Sequence, residues 1–129
     1  MRAATFLVIE DEPLIALDLA GTLEAAGARV APPVATEAEA LRVIERSNFD
    51  GALLDGNLHG RPVDEIAAAL TRRNIPFVFV TGYGREGLPG AFKHIAVLNK
   101  PFNQQLLLET LKGVVQREDN IVQLKPQVS

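Results

Sequence analysis

Three carboxylates, a hydroxyl and an ammonium carry the chemistry open to this sequence. Glu10 and Asp11 directly follow the apolar run Thr5–Ile9, and Asp55 closes the run Gly51–Leu54. Thr81 closes Phe77–Val80, and Lys100 stands just beyond Ile95–Leu98. Acids brought together repel and raise one another's pKa unless a cation sits among them. Oxygen-only ligands select a hard ion, and Mg²⁺ with several retained waters is the natural candidate. A carboxylate can attack phosphorus and form an acyl phosphate. Ammonium and hydroxyl donors then stabilise the charge on the transferring phosphoryl oxygens. The set reads as a phosphoryl-accepting aspartate, provided that the fold brings its members to one place.

The surrounding elements are of the kind that does so. Thr5–Ile9 is a short, continuous apolar run with β-branched residues, as a strand buried on both faces is, and Gly51–Asp55 and Phe77–Val80 read as further strands. Helical periodicity follows each of the first three strands. Ile15, Ala16, Leu19, Ala20 and Leu23 share one face behind Pro13, with Gly27 as the stop. After the weak strand Arg29-Val30-Ala31, Thr36-Glu37-Ala38-Glu39 has the form of a capping box ahead of Leu41 and Ile44. Val63, Ile66, Ala67 and Leu70 repeat at helical spacing. Behind Asn103 as N-cap, Leu107, Leu111, Val114 and Val115 form the inward face of a last helix, with Phe102 and Leu107 as a hydrophobic staple. Alternating strands and helices imply parallel pairing with right-handed crossovers. The expected architecture is α/β, a doubly wound five-stranded parallel sheet in the order 2-1-3-4-5. In such a sheet, functional groups gather beyond the carboxyl ends of the strands, where the five residues above all stand.

One connection breaks the rhythm. Residues 82–90 contain Gly82, Gly84, Gly87, Pro89 and Gly90, and interior glycines cost a helix about 1 kcal/mol each and proline about 3. The fourth helix is therefore expected to be short or absent, replaced by a loop or a single turn near Ala91–Lys93, mobile in the free protein.

Composition bounds the function. The 129 residues are 47% hydrophobic and 22% charged, the balance of one globular domain. A net charge of −3 argues against a nucleic-acid face. With no cysteine, disulfides, thiolate metal sites and cysteine nucleophiles are excluded. No apolar run reaches the length of a membrane span, and the start lacks the form of a secretory signal, so a cytoplasmic protein is expected.

The segments Val8-Ile9-Glu10-Asp11-Glu12-Pro13, Leu53-Leu54-Asp55, Val80-Thr81-Gly82 and Lys100-Pro101-Phe102 resemble the receiver domain of two-component response regulators. The resemblance covers roughly residues 4 to 118. It implies a flavodoxin-like, CheY-like three-layer sandwich, with a receiver domain over 1–118 and a flexible tail over 119–129. It also implies Asp55 as phosphoacceptor, Asp11 as direct Mg²⁺ ligand, Glu10 acting mainly through a metal-bound water, and the Asn57 carbonyl completing the ligands. Thr81 and Lys100 would bind the phosphoryl group, and Lys100-Pro101 would be cis. Phe77 to Gly84, with Asp55-Gly56-Asn57-Leu58, look like the FATGUY subgroup, which is served by HWE and related histidine kinases. The family's aromatic switch residue, expected two residues before the lysine, is Leu98 here. Phosphorylation is then expected to act by ordering residues 82–94, with Tyr83 changing its packing.

The resulting expectation is a single-domain response regulator, not a metabolic enzyme. It takes a phosphoryl group from a sensor histidine kinase and signals to a downstream protein, as a monomer or weak dimer with no nucleic-acid or membrane partner. The alternative is a receiver-like binding module independent of phosphorylation. Leu98 and the weak fourth helix favour it; the intact acids, Thr81 and Lys100 oppose it. Gly82-Tyr83-Gly84-Arg85-Glu86-Gly87 has dinucleotide-site spacing but is followed by Leu88-Pro89-Gly90 rather than a helix. His59 and His94 lack ligand spacing and read as surface residues. Leu106-Leu107-Leu108 has one leucine more than a core face needs, which could mark a partner surface.

Overall fold

The computed structural model describes residues 3–82, 88, 90–92 and 94–115. Its elements, in chain order, are β1 (Thr5–Ile9), α1 (Pro13–Ala25), β2 (Arg29–Val30), α2 (Glu37–Arg46), β3 (Gly51–Asp55), α3 (Asp64–Arg72), β4 (Phe77–Thr81), β5 (Val97–Asn99) and α4 (Gln104–Val115). The strands form one parallel sheet in the order β2-β1-β3-β4-β5, as the sequence predicts. The expected tail, 119–129, lies outside the described residues.

Strand alternation divides the core into two layers. Phe6, Val8, Leu53, Val78, Val80 and Leu98 face α1 and α4, where Leu19, Leu23, Leu107 and Leu111 meet them. Leu7, Ile9, Ala52, Leu54, Phe77 and Phe79 face α2 and α3, against Ile44, Ile66 and Leu70. The helix boundaries have local causes. Pro13 opens α1, and Gly27, at φ 95°, takes the chain out of it. Thr36 Oγ1 accepts the Glu39 N–H at 3.2 Å at the start of α2, and Asn103 Oδ1 accepts the Leu106 N–H at 2.7 Å at the start of α4. Leu14 and Leu17 stand outward on α1, 81% and 66% exposed, where the sequence reading singled out only the inward face. Leu106 is the surplus, exposed leucine of α4.

Between β4 and β5, the described part of the chain holds one 3-10 turn, Gly90–Phe92. It stands close to the expected place and is too short to shield a strand. Phe92 reaches the sheet with its ring edge-on to Phe77 at 6.3 Å. The expected mobility of this connection and the repacking of Tyr83 concern residues that are mostly outside those described.

The register corrects one expectation. Thr81 is aligned with Asn99 and Phe79 with Val97, so alternation puts Val97 and Asn99 on the face of Thr81. Leu98 points through the opposite face into the α1–α4 layer. It therefore cannot be the switch position. Val97 shares Thr81's face, and it is not aromatic either.

Candidate functional site

Each member of the site leaves the sheet at its carboxyl edge. β1 and β3 are neighbours, with Ile9 aligned to Leu54, so the residues just beyond them converge. The carboxylates of Glu10, Asp11 and Asp55 each offer an oxygen within 4.8 Å of the others. Lys100 arrives from beyond β5, where its N–H donates to the Thr81 carbonyl at 2.9 Å. Its ammonium lies 3.2 Å from Glu10 Oε1 and 3.9 Å from Asp55 Oδ1. Thr81 is buried at the end of β4 with its side chain against Gly56. The structure thus brings together Glu10, Asp11, Asp55, Thr81 and Lys100.

Asn57 is tied to Asp55 through its backbone. The described contact is its backbone N–H, which donates to Asp55 Oδ1 at 3.1 Å. Two further N–H groups orient the other acids: Glu12 donates to Glu10 Oε2 at 3.1 Å, and His59 to Asp11 Oδ2 at 3.0 Å. Every acid of the cluster is therefore held by a backbone donor from an adjoining loop. His59 sits at the surface, as read from the sequence, yet it touches the site, which the sequence reading missed. The available signal was His59-Gly60, a dipeptide suited to a tight turn with positive φ.

Burial and crowding set the protonation of the cluster. Asp55 is only 5% exposed. Its burial, together with the hydrogen bonds it shares with Asp11 and Glu10, pushes its pKa up to about 8, although the Asn57 N–H opposes the shift. For Asp11, burial acts upward but is outweighed by the hydrogen bonds from Asp55 and the His59 N–H, so its carboxyl is held below the ordinary value. Burial and crowding thus favour the protonated form of Asp55 in the cation-free protein.

A divalent cation fits these residues. The donors are all oxygens, which suits a hard ion. Glu10 Oε1 is buried and has no hydrogen-bond partner, since the Lys100 ammonium lies close but out of alignment. Such an oxygen is costly to leave unsatisfied. One lysine cannot balance three ionised carboxylates. Among the described residues, no helix is long and apolar enough to cross a membrane.

No family model matches the sequence. Solved structures and a curated relative do. The solution structure of SdrG from Sphingomonas melonis Fr1 is 38% identical, with a TM-score of 0.77 over 86% of this chain and 96% of that one. A beryllofluoride-activated conformation of SdrG from Pseudomonas melonis Fr1 is 39% identical, with a TM-score of 0.70 over the same shares. The phyllosphere-induced regulator PhyR of Methylorubrum extorquens is 34% identical over 107 residues, or 78% of this chain; the chain spans 39% of that relative's length. The receiver domain of the sensor histidine kinase PA1611 from Pseudomonas aeruginosa, solved with magnesium in its active-site cleft, shares the fold at 23% identity. Its TM-score is 0.76 over 88% of this chain and 98% of that one. The chain belongs to the response-regulator receiver domains, with their CheY-like fold.

Proposed function

We propose that the protein accepts a phosphoryl group on Asp55 from a sensor histidine kinase, in a Mg²⁺-dependent reaction, and signals through contact with a downstream protein. The single observation that carries this reading is the convergence of Glu10, Asp11 and Asp55 within 4.8 Å, with the Lys100 ammonium beside them. Glu10, Asp11, Asp55 and the Asn57 carbonyl would hold the ion. Bound there, it would neutralise charge on the acids and on the phosphoryl oxygens.

The chain's own residues divide the remaining work. Asp55, deprotonated, supplies the attacking oxygen: a P–O bond forms to its carboxylate while the P–N bond to the donor histidine breaks. The Asn57 N–H fixes Asp55 Oδ1. Lys100, shared between Glu10 and Asp55 before transfer, is placed to pair with the incoming phosphoryl oxygens. Thr81 offers a hydroxyl from the end of the neighbouring strand. The outward Leu14 and Leu17 lie on α1, whose Ile15 and Asp18 line a groove with Lys100, Pro101 and Phe102. An apolar patch bordering the site suits a docking protein. The motif Phe77 to Gly84 supports placing the chain in the FATGUY subgroup, with an HWE-type kinase as partner.

The test is an amide NMR titration with Mg²⁺ and then beryllofluoride, beside an Asp55→Ala control. Shifts centred on Asp11, Asp55 and Thr81 that vanish in the variant are expected. An unperturbed spectrum with both ligands would overturn the phosphoacceptor reading.

A further inference from the structure

At the end of the sheet opposite the acids lies an open apolar groove. Ile75 and Phe77, entering β4, Ile95 and Ala96, ahead of β5, and Val114, near the end of α4, line a cavity of about 340 Å³. Ile75 and Phe77 are buried, whereas Ile95, Ala96 and Val114 are only half-buried. On the side of Ile95 and Val97, the described part of the connection between β4 and β5 offers one 3-10 turn in place of a helix. These two residues therefore stay at the margin of the core. Half-buried apolar side chains gain free energy from any cover that removes their remaining surface from water.

The chain carries a segment suited to supply that cover. Val114 lines the groove and Val115 is the last described residue, so residues 116–129 set out from the groove's own wall. Within them, Ile121-Val122-Gln123-Leu124 is an apolar run, with Asp119-Asn120 before it and Pro126 after it. Asp and Asn favour turns, and proline ends a helix or a strand. The five residues 116–120 reach up to about 17 Å when extended, so the run begins within range of Ile95 and Ala96. Asn74, exposed beside the groove, has a side-chain amide with no partner among the described residues. An extended backbone laid there supplies both a donor and an acceptor.

We propose that this groove is the seat of the chain's own segment Ile121–Leu124, which folds back from α4 and covers the approach to β5. The segment then provides the shielding that the 3-10 turn is too short to give. A second copy of the chain has the same run to offer, but the short tether sets an effective concentration of the order of millimolar and favours the copy's own segment. The groove and the acids lie at opposite ends of the strands, so the proposal does not depend on the reading of Asp55.

The absence of cysteine allows a single nitroxide label on the full chain through Gln127→Cys, with amide relaxation followed by NMR. The amides of Asn74, Ile75, Ile95 and Ala96 are expected to lose most of their intensity, while those of Asp11 and Asp55 keep theirs. Replacing Ile121→Ser and Leu124→Ser together in the labelled chain is expected to restore the groove signals without touching the core. Unchanged intensities at the groove, or losses spread evenly over the surface, would overturn the proposal. Broadening that survives the double substitution would also overturn it, by showing that the apolar run does not hold the segment there. Equal broadening when nitroxide and ¹⁵N are carried by different molecules would overturn it as well, because the occupant would then be a second copy.

Discussion

Two connections leave the carboxyl edge of the sheet beside the site, and they are held by different means. The one after β3 runs from Gly56 through the His59 turn into α3. Its Asn57 and His59 N–H groups bind site carboxylates, and Ile66, Ala67 and Leu70 anchor the helix that follows in the core. The one after β4 has, in its described part, a half-buried Leu88 against Gly56 and the Phe92 ring against Phe77. The first connection is tied to the acids by polar, directional bonds, which fix the geometry of a cation site. The described part of the second makes apolar contacts through Leu88 and Phe92 and a backbone bond from the Ile95 N–H to the Phe92 carbonyl at 3.0 Å.

The largest expected effect tests the anchored side. Ile66→Ala removes a fully buried side chain from α3 and is expected to cost about 3 kcal/mol in urea unfolding. The next concerns Asp55. Its folded pKa of about 8 stands above the ordinary 3.8, so between those values the folded state keeps a proton that the unfolded chain has lost. Stability from this group is intact below about pH 4, falls as pH rises, and levels off above about pH 8. In the absence of divalent cations, Asp55→Asn should therefore gain stability relative to the wild type as the pH rises from 4 to 8. Denaturation at both pH values would check this, and a constant difference would refute it.

On the other side, Phe92→Ala is expected to cost only about 1.5 kcal/mol, because Phe92 is half-buried. A cost equal to that of Ile66→Ala would break the comparison. The smallest effect is that of Gly56→Ala. Its Cβ would meet Leu88 Cδ2 at 2.7 Å and Thr81 Cβ at 3.3 Å. Leu88 can turn its methyl aside, so the cost should be about 1 kcal/mol. The Leu88 methyl resonances should move, and Leu88→Ala in the same chain should relieve the strain.

What the sequence made legible was whatever depended on pattern. The apolar runs ended at the residues that matter, so strand order and the meeting of Glu10, Asp11, Asp55, Thr81 and Lys100 followed from topology. Val63, Ile66, Ala67 and Leu70 marked the buried face of α3 correctly. Contacts between loops were less accessible. The approach of His59 to Asp11 and of Leu88 to Gly56 depends on the paths of separate turns, which no periodicity encodes. The assignment of the switch position to Leu98 failed because a displacement of one residue along a strand reverses the face. Only the pairing of Thr81 with Asn99 reveals which residues of β5 share its side.

The rims of the sheet have a consequence for how copies of the molecule meet. β2 is two residues long and β5 three, and Pro32 and Pro33 follow β2 before Val34 rejoins β1 through a single bridge. Proline has no N–H to offer an incoming strand. Another chain laid along either rim finds only two or three backbone positions in line, too few to continue the sheet. Crowded copies of this protein would therefore not stack edge to edge into ribbons.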